Sequence, residues 1–417
     1  MNIAFFVESF PKLSETFIIN QVTGLIDDGH DVTVFAIDKP DEAKEHAVVE
    51  EYDLLDRTVY APVPSTYTEA ASLLGTVVPR LLARHPERIG DVLKAPSFGD
   101  QAPHYLSRML TFLDHDEQFD ICHAHFGTVA NQYGFVSDLE EHGPFVVTFY
   151  GRDVSGFVHP DNYDAYTDLW PKCDRAIGIT QHVLSRTMLL GCPESKTTRL
   201  HIGVDTDEFE RSPIDYPDTA PLRLLSVARH VEKKGLKYAI DAVADCLERG
   251  VAVEYAIAGD GPLRSELERR VADHGIGDSV EFLGWQTQSE VRSRLHDAHL
   301  FVQPSVTARD GDMEGQALVI QEAQATGTPV VATYHDGIPE GLEERETGRL
   351  VPERDAEALA RAIEFFEQNP ESLVEYGENA RSFVEANFDN TTLVERQAQI
   401  YADVIDERGS TMSTTPP

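Results

Sequence analysis

LFVQPSVTARDGDMEGQALVIQEAQATGTPVVAT, residues 300–333, contains one complete unit of fold. LFVQPS is a short apolar run of the kind that forms a strand buried on both faces. A loop rich in acid and glycine follows it. ALVIQEAQA then reads as an apolar helix, and PVVAT as a second short buried strand. This order predicts parallel strands joined by a helical crossover. The helix is expected to start near Gly315 or Gln316. Its first amides, at Gln316, Ala317 and Leu318, are then unpaired donors that favour an anion. Glu314 stands just before this helix and Glu322 lies inside it, eight residues further on. A carboxylate on a buried helix face needs a partner. A ribose diol is one candidate and a salt bridge within the fold is the other.

The same alternation extends outward in both directions. NIAFFV, DVTVFAI, DICHAHF, PFVVTFYG and RAIGIT form a first series of strand-like runs separated by helical stretches. LRLLSVAR, VEYAIAGD, SVEFLG, LFVQPS and PVVAT form a second. Two parallel sheets wrapped by helices are therefore expected, an α/β fold of two Rossmann-like domains. The acid- and proline-rich stretch FERSPIDYPDTAPLR places a linker at about 206–221. The expected organisation is a first domain over 1–205 and a second over 206–385, then a helix over 386–407 packing back on the first, and a disordered tail over 408–417. A ligand cleft is expected between the carboxyl ends of the two sets of strands.

The 417 residues carry 72 acidic and 35 basic side chains, a formal net charge of -37. That balance argues against nucleic acid as a partner, because phosphate backbones bind basic faces. With only nine lysines, it suggests adaptation to a high-salt cytoplasm. Cys122, Cys173, Cys192 and Cys246 show neither zinc nor redox spacing, so reduced core thiols are expected. IAFFV has no basic residues before it and is too short for a signal peptide. No apolar run is long enough to span a bilayer.

Against this acidic background, SVARHVEKKGLKYAI concentrates Lys233, Lys234 and Lys237 after a strand that ends at Arg229. Cations near a helix start oppose its dipole, so an anionic ligand such as a diphosphate is the better reason for Arg229 and Lys234. Lys233 and Lys237 read as surface residues. In IAGDGPLRSEL, Gly259, Asp260 and Gly261 end a strand where backbone can approach a ligand, and Pro262 suits a helix start. Gly284 and Trp285 end another, and the indole could border a nucleobase or fill a core. Asp310 and Asp312 suggest a divalent cation, but Arg229 and Lys234 already supply countercharge, and no metal is expected.

Together these residues resemble the retaining family 4 glycosyltransferases of GT-B fold. The matching motifs are E-x7-E at Glu314 and Glu322, the Arg229–Lys234 pair, GDGP at 259–262, GIPE at 337–340 and TG-x-LVP at 347–352. P-x-x-SETFI at 11–18 and HAHFG at 123–127 are similar to exopolysaccharide transferases of the colanic-acid type. The resemblance implies a UDP- or GDP-linked sugar donor, a glycan or lipid-linked acceptor, and no further cofactor. Arg229 and Lys234 would hold the diphosphate, Glu322 the ribose and Glu314 the sugar. The turns at Gly259 and Gly284 would border the base. His125 and Asp153 would face them across the cleft, and Ser14, Glu15 and Thr16 would form a loop under the phosphates. Ser14 could equally be a helix N-cap. Where related sequences often read HG-x-D, this chain reads Tyr150-Gly151-Arg152-Asp153, so no base is expected at 150.

A dinucleotide oxidoreductase is disfavoured, because ESFPKLSETF replaces a G-x-G-x-x-G turn after the first strand. A nucleotide-sugar epimerase or hydrolase of the same fold, and a non-catalytic sugar-binding protein, remain as alternatives. Residues 65–96 read as an amphipathic helix with Arg80, Arg84, Arg88 and Lys94 near one side. It could meet an anionic membrane at the inner face of the cell, or simply pack with a solvated side.

Overall fold

The computed structural model describes residues 1–12, 15–40, 47–61, 66–84, 86, 90, 102–115, 117–139, 141–158, 162–212 and 221–413. The first domain runs β1 (Asn2–Ser9), α1 (Thr16–Asp27), β2 (Asp31–Asp38), α2 (Ala47–Glu51), β3 (Thr58–Tyr60), α3 (Tyr67–Arg84) and α4 (Ala102–Leu113). It continues through β4 (Ile121–His125), α5 (Gly127–Tyr133), β5 (Phe145–Phe149), β6 (Arg175–Gly178), α6 (Gln181–Leu189) and β7 (Thr197–Arg199). The second runs β8 (Leu222–Val227), α7 (Leu236–Glu248), β9 (Val253–Ala258), α8 (Arg264–His274), β10 (Val280–Gly284), α9 (Gln288–Asp297), β11 (Leu300–Gln303), α10 (Leu318–Ala325), β12 (Val330–Thr333) and β13 (Gly348–Val351). Helices α11 (Ala356–Gln368), α12 (Glu371–Asn387) and α13 (Asn390–Ser413) follow.

Both sheets are parallel, in the orders β3-β2-β1-β4-β5-β6-β7 and β10-β9-β8-β11-β12-β13. Each order reverses direction once, between β1 and β4 and between β8 and β11. Loops leaving the two strands at such a reversal diverge to opposite faces and open a crevice. The strands are apolar along their length because helices cover both faces of each sheet. Phe6, Phe112 and Phe145 pack on one face of the first sheet, and Ile3, Phe5 and Ile19 on the other. In the second sheet the corresponding sets include Leu224, Val243 and Val302, and Leu225, Ile320 and Val330.

The last helix belongs to the first core. Val394, Ile400, Tyr401 and Val404 of α13 are buried with residues of β1 and α1. The two helices approach closely at Gly24, where a Cβ would lie 2.7 Å from the Val394 Cγ2. Helix α13 continues to Ser413, past the tail boundary expected at 407. The first proline beyond it is Pro416, and Gly409 stays within the helix, so nothing in ERGSTMS stops it earlier.

The start of the linker is packed into the fold. Phe209 is buried in the second core, and the Arg381 guanidinium donates to the carbonyls of Thr206, Phe209 and Ala325 at 2.8–3.0 Å. Its centre, 213–220, lies outside the described residues.

Candidate functional site

The reversal between β8 and β11 brings together the two loops that the sequence marks. After β8 comes Arg229, then a tight turn over Glu232–Lys234, then Gly235 at φ 62. A Cβ on Gly235 would sit 1.8 Å from the Pro304 carbonyl oxygen, so only glycine lets this turn ride on the exit of β11. The two loops are then joined by charge. Lys234 pairs with the buried Glu314 carboxylate. Lys233 is buried rather than on the surface, and its Nζ donates to Asp312 Oδ1 at 3.2 Å and the Met313 carbonyl at 3.1 Å. Arg229 is exposed and has no ion pair or hydrogen bond from its guanidinium to any described residue.

Glu314 is held from three sides. Its amide donates to His335 Nε2 at 3.0 Å, and His335 Nδ1–H donates to Glu353 at 2.5 Å. The accepting Nε2 fixes the imidazole in its Nδ1–H form. Burial alone would raise the Glu314 pKa; the charges of Lys234 and Lys233 outweigh it and hold the carboxyl below its usual range. Asp312 is committed to Lys233, and Asp310 accepts the Asp312 amide at 3.1 Å. The two acids that suggested a metal are thus used within the loop.

Helix α10 begins at Leu318, later than Gly315 or Gln316. Ala317, at φ -83 and ψ 82, centres a three-residue turn in which the Leu318 amide bonds the Gln316 carbonyl at 3.1 Å. Leu318 is therefore not a free donor. The amides of Gly315, Gln316 and Ala317 are buried and have no partner among the described residues, so three adjacent donors remain one residue earlier than expected. The Gln316 side chain straps the domains together: it accepts from the Ile202 amide at 2.9 Å and donates to the Ile202 carbonyl at 2.8 Å. Glu322 has no ion pair or hydrogen bond from its carboxyl to any described residue. Burial, with a contribution from Glu208, pushes its pKa up to about 7.

Around the neighbouring strand ends, Gly259 (φ 115) lies against Ala228, where a Cβ would meet the carbonyl oxygen at 2.0 Å. Its amide bonds the Gly284 carbonyl at 2.7 Å, and the Asp260 carbonyl accepts the His230 amide at 2.8 Å. Asp260 Oδ1 caps the Gly261 amide at 2.7 Å. Pro262 stands in the turn, two residues before the helix at Arg264. Trp285 is 64% exposed, which removes the core-packing reading. His230, missed in the sequence, is fully buried with neither ring nitrogen hydrogen-bonded.

The facing wall comes from the first domain and differs more from expectation. The Asp153 carboxylate is filled by the amides of Gly127, Tyr150 and Gly151 at 2.9–3.0 Å. It fastens two strand-end loops, and its carboxylate is buried. His125 is fully buried, and its Nδ1 meets the Tyr150 hydroxyl at 2.6 Å. It supports Tyr150 from behind. Glu15 takes the N-cap position of α1 without capping through its side chain, and pairs with Lys12 at 2.6 Å; Thr16 opens the helix. Ser14 lies outside the described residues.

Several contacts between the domains go beyond the roles expected from the sequence. A Cβ on Gly315 would lie 1.8 Å from the Tyr150 carbonyl, so the domains meet backbone to backbone beside Glu314. Glu340, the acid of GIPE, reaches across and accepts the Gln181 and His182 amides of α6 at 2.9 and 3.3 Å. It caps a helix of the other domain. Asp336 and His182 face each other at 3.4 Å nearby.

Two parallel Rossmann-like sheets facing each other, each with one switch point, define the GT-B class. Residues 14–208 match the model described as Glycosyltransferase Family 4, and residues 208–383 match Glycosyl transferases group 1. The chain belongs to this glycosyltransferase family and transfers sugar from a nucleotide-sugar. It is 35% identical over 401 residues to WcaL of Escherichia coli K12, a candidate colanic acid biosynthesis glycosyltransferase, covering 95% of this chain and 98% of the relative. It is 33% identical over 408 residues to the amylovoran biosynthesis glycosyltransferase AmsK of Erwinia amylovora, covering 96% and 99%. The fold matches that of Anabaena HepE, solved in complex with UDP, with a TM-score of 0.72 at 18% identity over 97% of this chain and 100% of that one.

Glu322, raised to about 7, and Asp336, raised by burial to about 8, set a pH dependence. Above the usual carboxylate range the unfolded chain has lost these protons while the folded chain retains them. Both groups therefore lower stability as pH rises through their folded values. Glu322→Gln combined with Asp336→Asn should lose less stability than the wild type between about pH 5 and about pH 8. Urea midpoints across that range check it; parallel curves would contradict the assignment.

Proposed function

We propose that the chain is a retaining hexosyltransferase that uses a UDP- or GDP-linked sugar and extends a glycan or lipid-linked acceptor in exopolysaccharide synthesis. One observation carries the site assignment: the buried Glu314–Lys234 pair lies beside three unpartnered amides, with Arg229 free at the neighbouring strand end. The diphosphate accepts from Arg229 and from the amides of Gly315, Gln316 and Ala317. Lys234 turns from Glu314 to the phosphates, and Glu314 is released to a sugar hydroxyl. Glu322 takes the ribose, and Gly259, Asp260, Gly261, Gly284 and Trp285 border the base.

Charge builds on the diphosphate oxygens as the anomeric C–O bond breaks, and the cradle stabilises it there. The acceptor oxygen bonds the anomeric carbon from the same face, and its proton passes to the departing phosphate. This route keeps the anomeric configuration and asks for no base at Tyr150. His125 and Asp153 contribute by holding the Tyr150–Gly151 loop against Gly315. The sequence similarity to WcaL and AmsK supports the acceptor class.

Arg229→Ala and Glu314→Ala should each lower kcat/KM by about 10²-fold or more. Coupled release of nucleoside diphosphate with a panel of UDP- and GDP-sugars measures it, and NMR of the product reads the anomer. Full transfer by both variants would sink the site assignment. Nucleotide release or donor epimerisation without a glycosylated product would favour the epimerase or hydrolase reading.

For the membrane contact, α3 exposes Leu74 and Leu82, but Arg80 is paired with Asp114 at 2.7 Å. The side chain of Arg84, and Arg88 and Lys94, lie outside the described residues. Among the described residues no helix is long and apolar enough to cross a membrane. From the exposed Leu74 and Leu82 and the -37 charge we infer peripheral attachment at the inner face, in a high-salt cytoplasm. Anionic liposomes should co-sediment the protein, and Leu74→Glu with Leu82→Glu should abolish this. Screening of the -37 charge should raise the urea midpoint between about 0.1 M and about 1 M KCl. An unchanged midpoint would count against the salt adaptation.

A further inference from the structure

Asp336 combines two costs that a glycine there would avoid. Its φ is 45, in the region that non-glycine residues seldom occupy. Its side chain is 1% exposed, yet Oδ1 has no hydrogen bond within the described residues. Such costs persist where function needs the group. Its position is set on both sides. His335 before it accepts the Glu314 amide, and Gly337 after it packs so that a Cβ would lie 2.0 Å from the Gly315 carbonyl oxygen. The Asp336 carboxyl therefore belongs to the same wall as Glu314.

Across the cleft stands His182, brought there because Glu340 captures the start of α6. The His182 Nε2 is 3.4 Å from Asp336 Oδ1, and neither atom is hydrogen-bonded. A latch would need a formed hydrogen bond, and Glu340 and Gln316 already join the domains here. A hydroxyl group, able to donate and accept at once, suits the two unsatisfied atoms.

We propose that Asp336, opposed by His182, is a specificity-determining residue that reads one hydroxyl of the transferred hexose. This rests on the donor-site reading above. The pair is assembled from both domains, so it discriminates only in the closed form. A site built to hydrogen-bond one hydroxyl rejects the epimer that cannot reach it, because its buried polar atoms are then left unpaired.

The test uses the full chain as wild type, Asp336→Gly and Asp336→Asn, titrated with free UDP and GDP and with a panel of UDP- and GDP-hexoses that includes epimers. Free nucleotide should bind all three equally. The wild type should prefer one hexose over its epimers. Asp336→Gly should reduce that preference by about ten-fold or more, and Asp336→Asn should restore much of it. The Gly variant should melt no lower than the wild type, since the backbone strain is relieved. Unchanged hexose preference in Asp336→Gly overturns the proposal, as does an equal loss for free nucleotide and nucleotide-sugar. If the wild type binds neither UDP nor GDP, the donor-site reading itself falls and this proposal falls with it.

Discussion

A carboxylate buried at the start of a helix requires a cation, and the pairing of Glu314 with Lys234 meets that requirement. Much of the site follows from it. The pair forces the turn after β8 to lie against the loop after β11, and Gly235 makes that contact sterically possible. Lys233, buried beside Asp312, repeats the link one residue away. Because each side chain answers a charge already present, the loop holds its shape without a metal-like cluster of acids. The ion pair also fixes where the Lys234 ammonium and the Glu314 carboxylate stand at the two strand ends.

The two domains also meet through a second kind of contact, backbone packing and one side-chain amide. Gly315 meets the Tyr150 carbonyl, Gly337 meets Gly315, and Gln316 grips both polar groups of Ile202. These contacts are mainly backbone or polar, and Leu318 of α10 packs beside them against the first core. The permanent tie between domains lies elsewhere, where α13 crosses back and buries Tyr401 beneath β1. A crossing helix at the rear and polar contacts at the front thus join the two domains.

Buried histidines illustrate how little a motif's residue types say about which groups they contact. HAHFG ends β4 at the cleft, as a strand exit should. Yet His123 bonds Tyr401 and Thr148, and His125 bonds Tyr150. Burial holds both pKa values far down, so neither is charged at neutral pH. Together they link Tyr401 of α13 to Tyr150, whose carbonyl lies against Gly315.

The amino-acid sequence by itself determined the two parallel sheets, because apolar runs of strand length separated by helical segments admit few other arrangements. It also located the strand-end turns, where Arg229, Gly259, Gly284 and Glu314 stand, since glycine and charge at those points serve no core. The tertiary structure alone decided which polar groups remain available to a ligand. Asp153 and Asp312 look as free as Glu322 in the sequence, yet backbone amides and Lys233 consume them. Glu340 and the helix it caps are 159 positions apart. A side chain's type sets what it can bind, but its availability depends on which distant groups the fold brings within about 3 Å, and no local pattern encodes that distance.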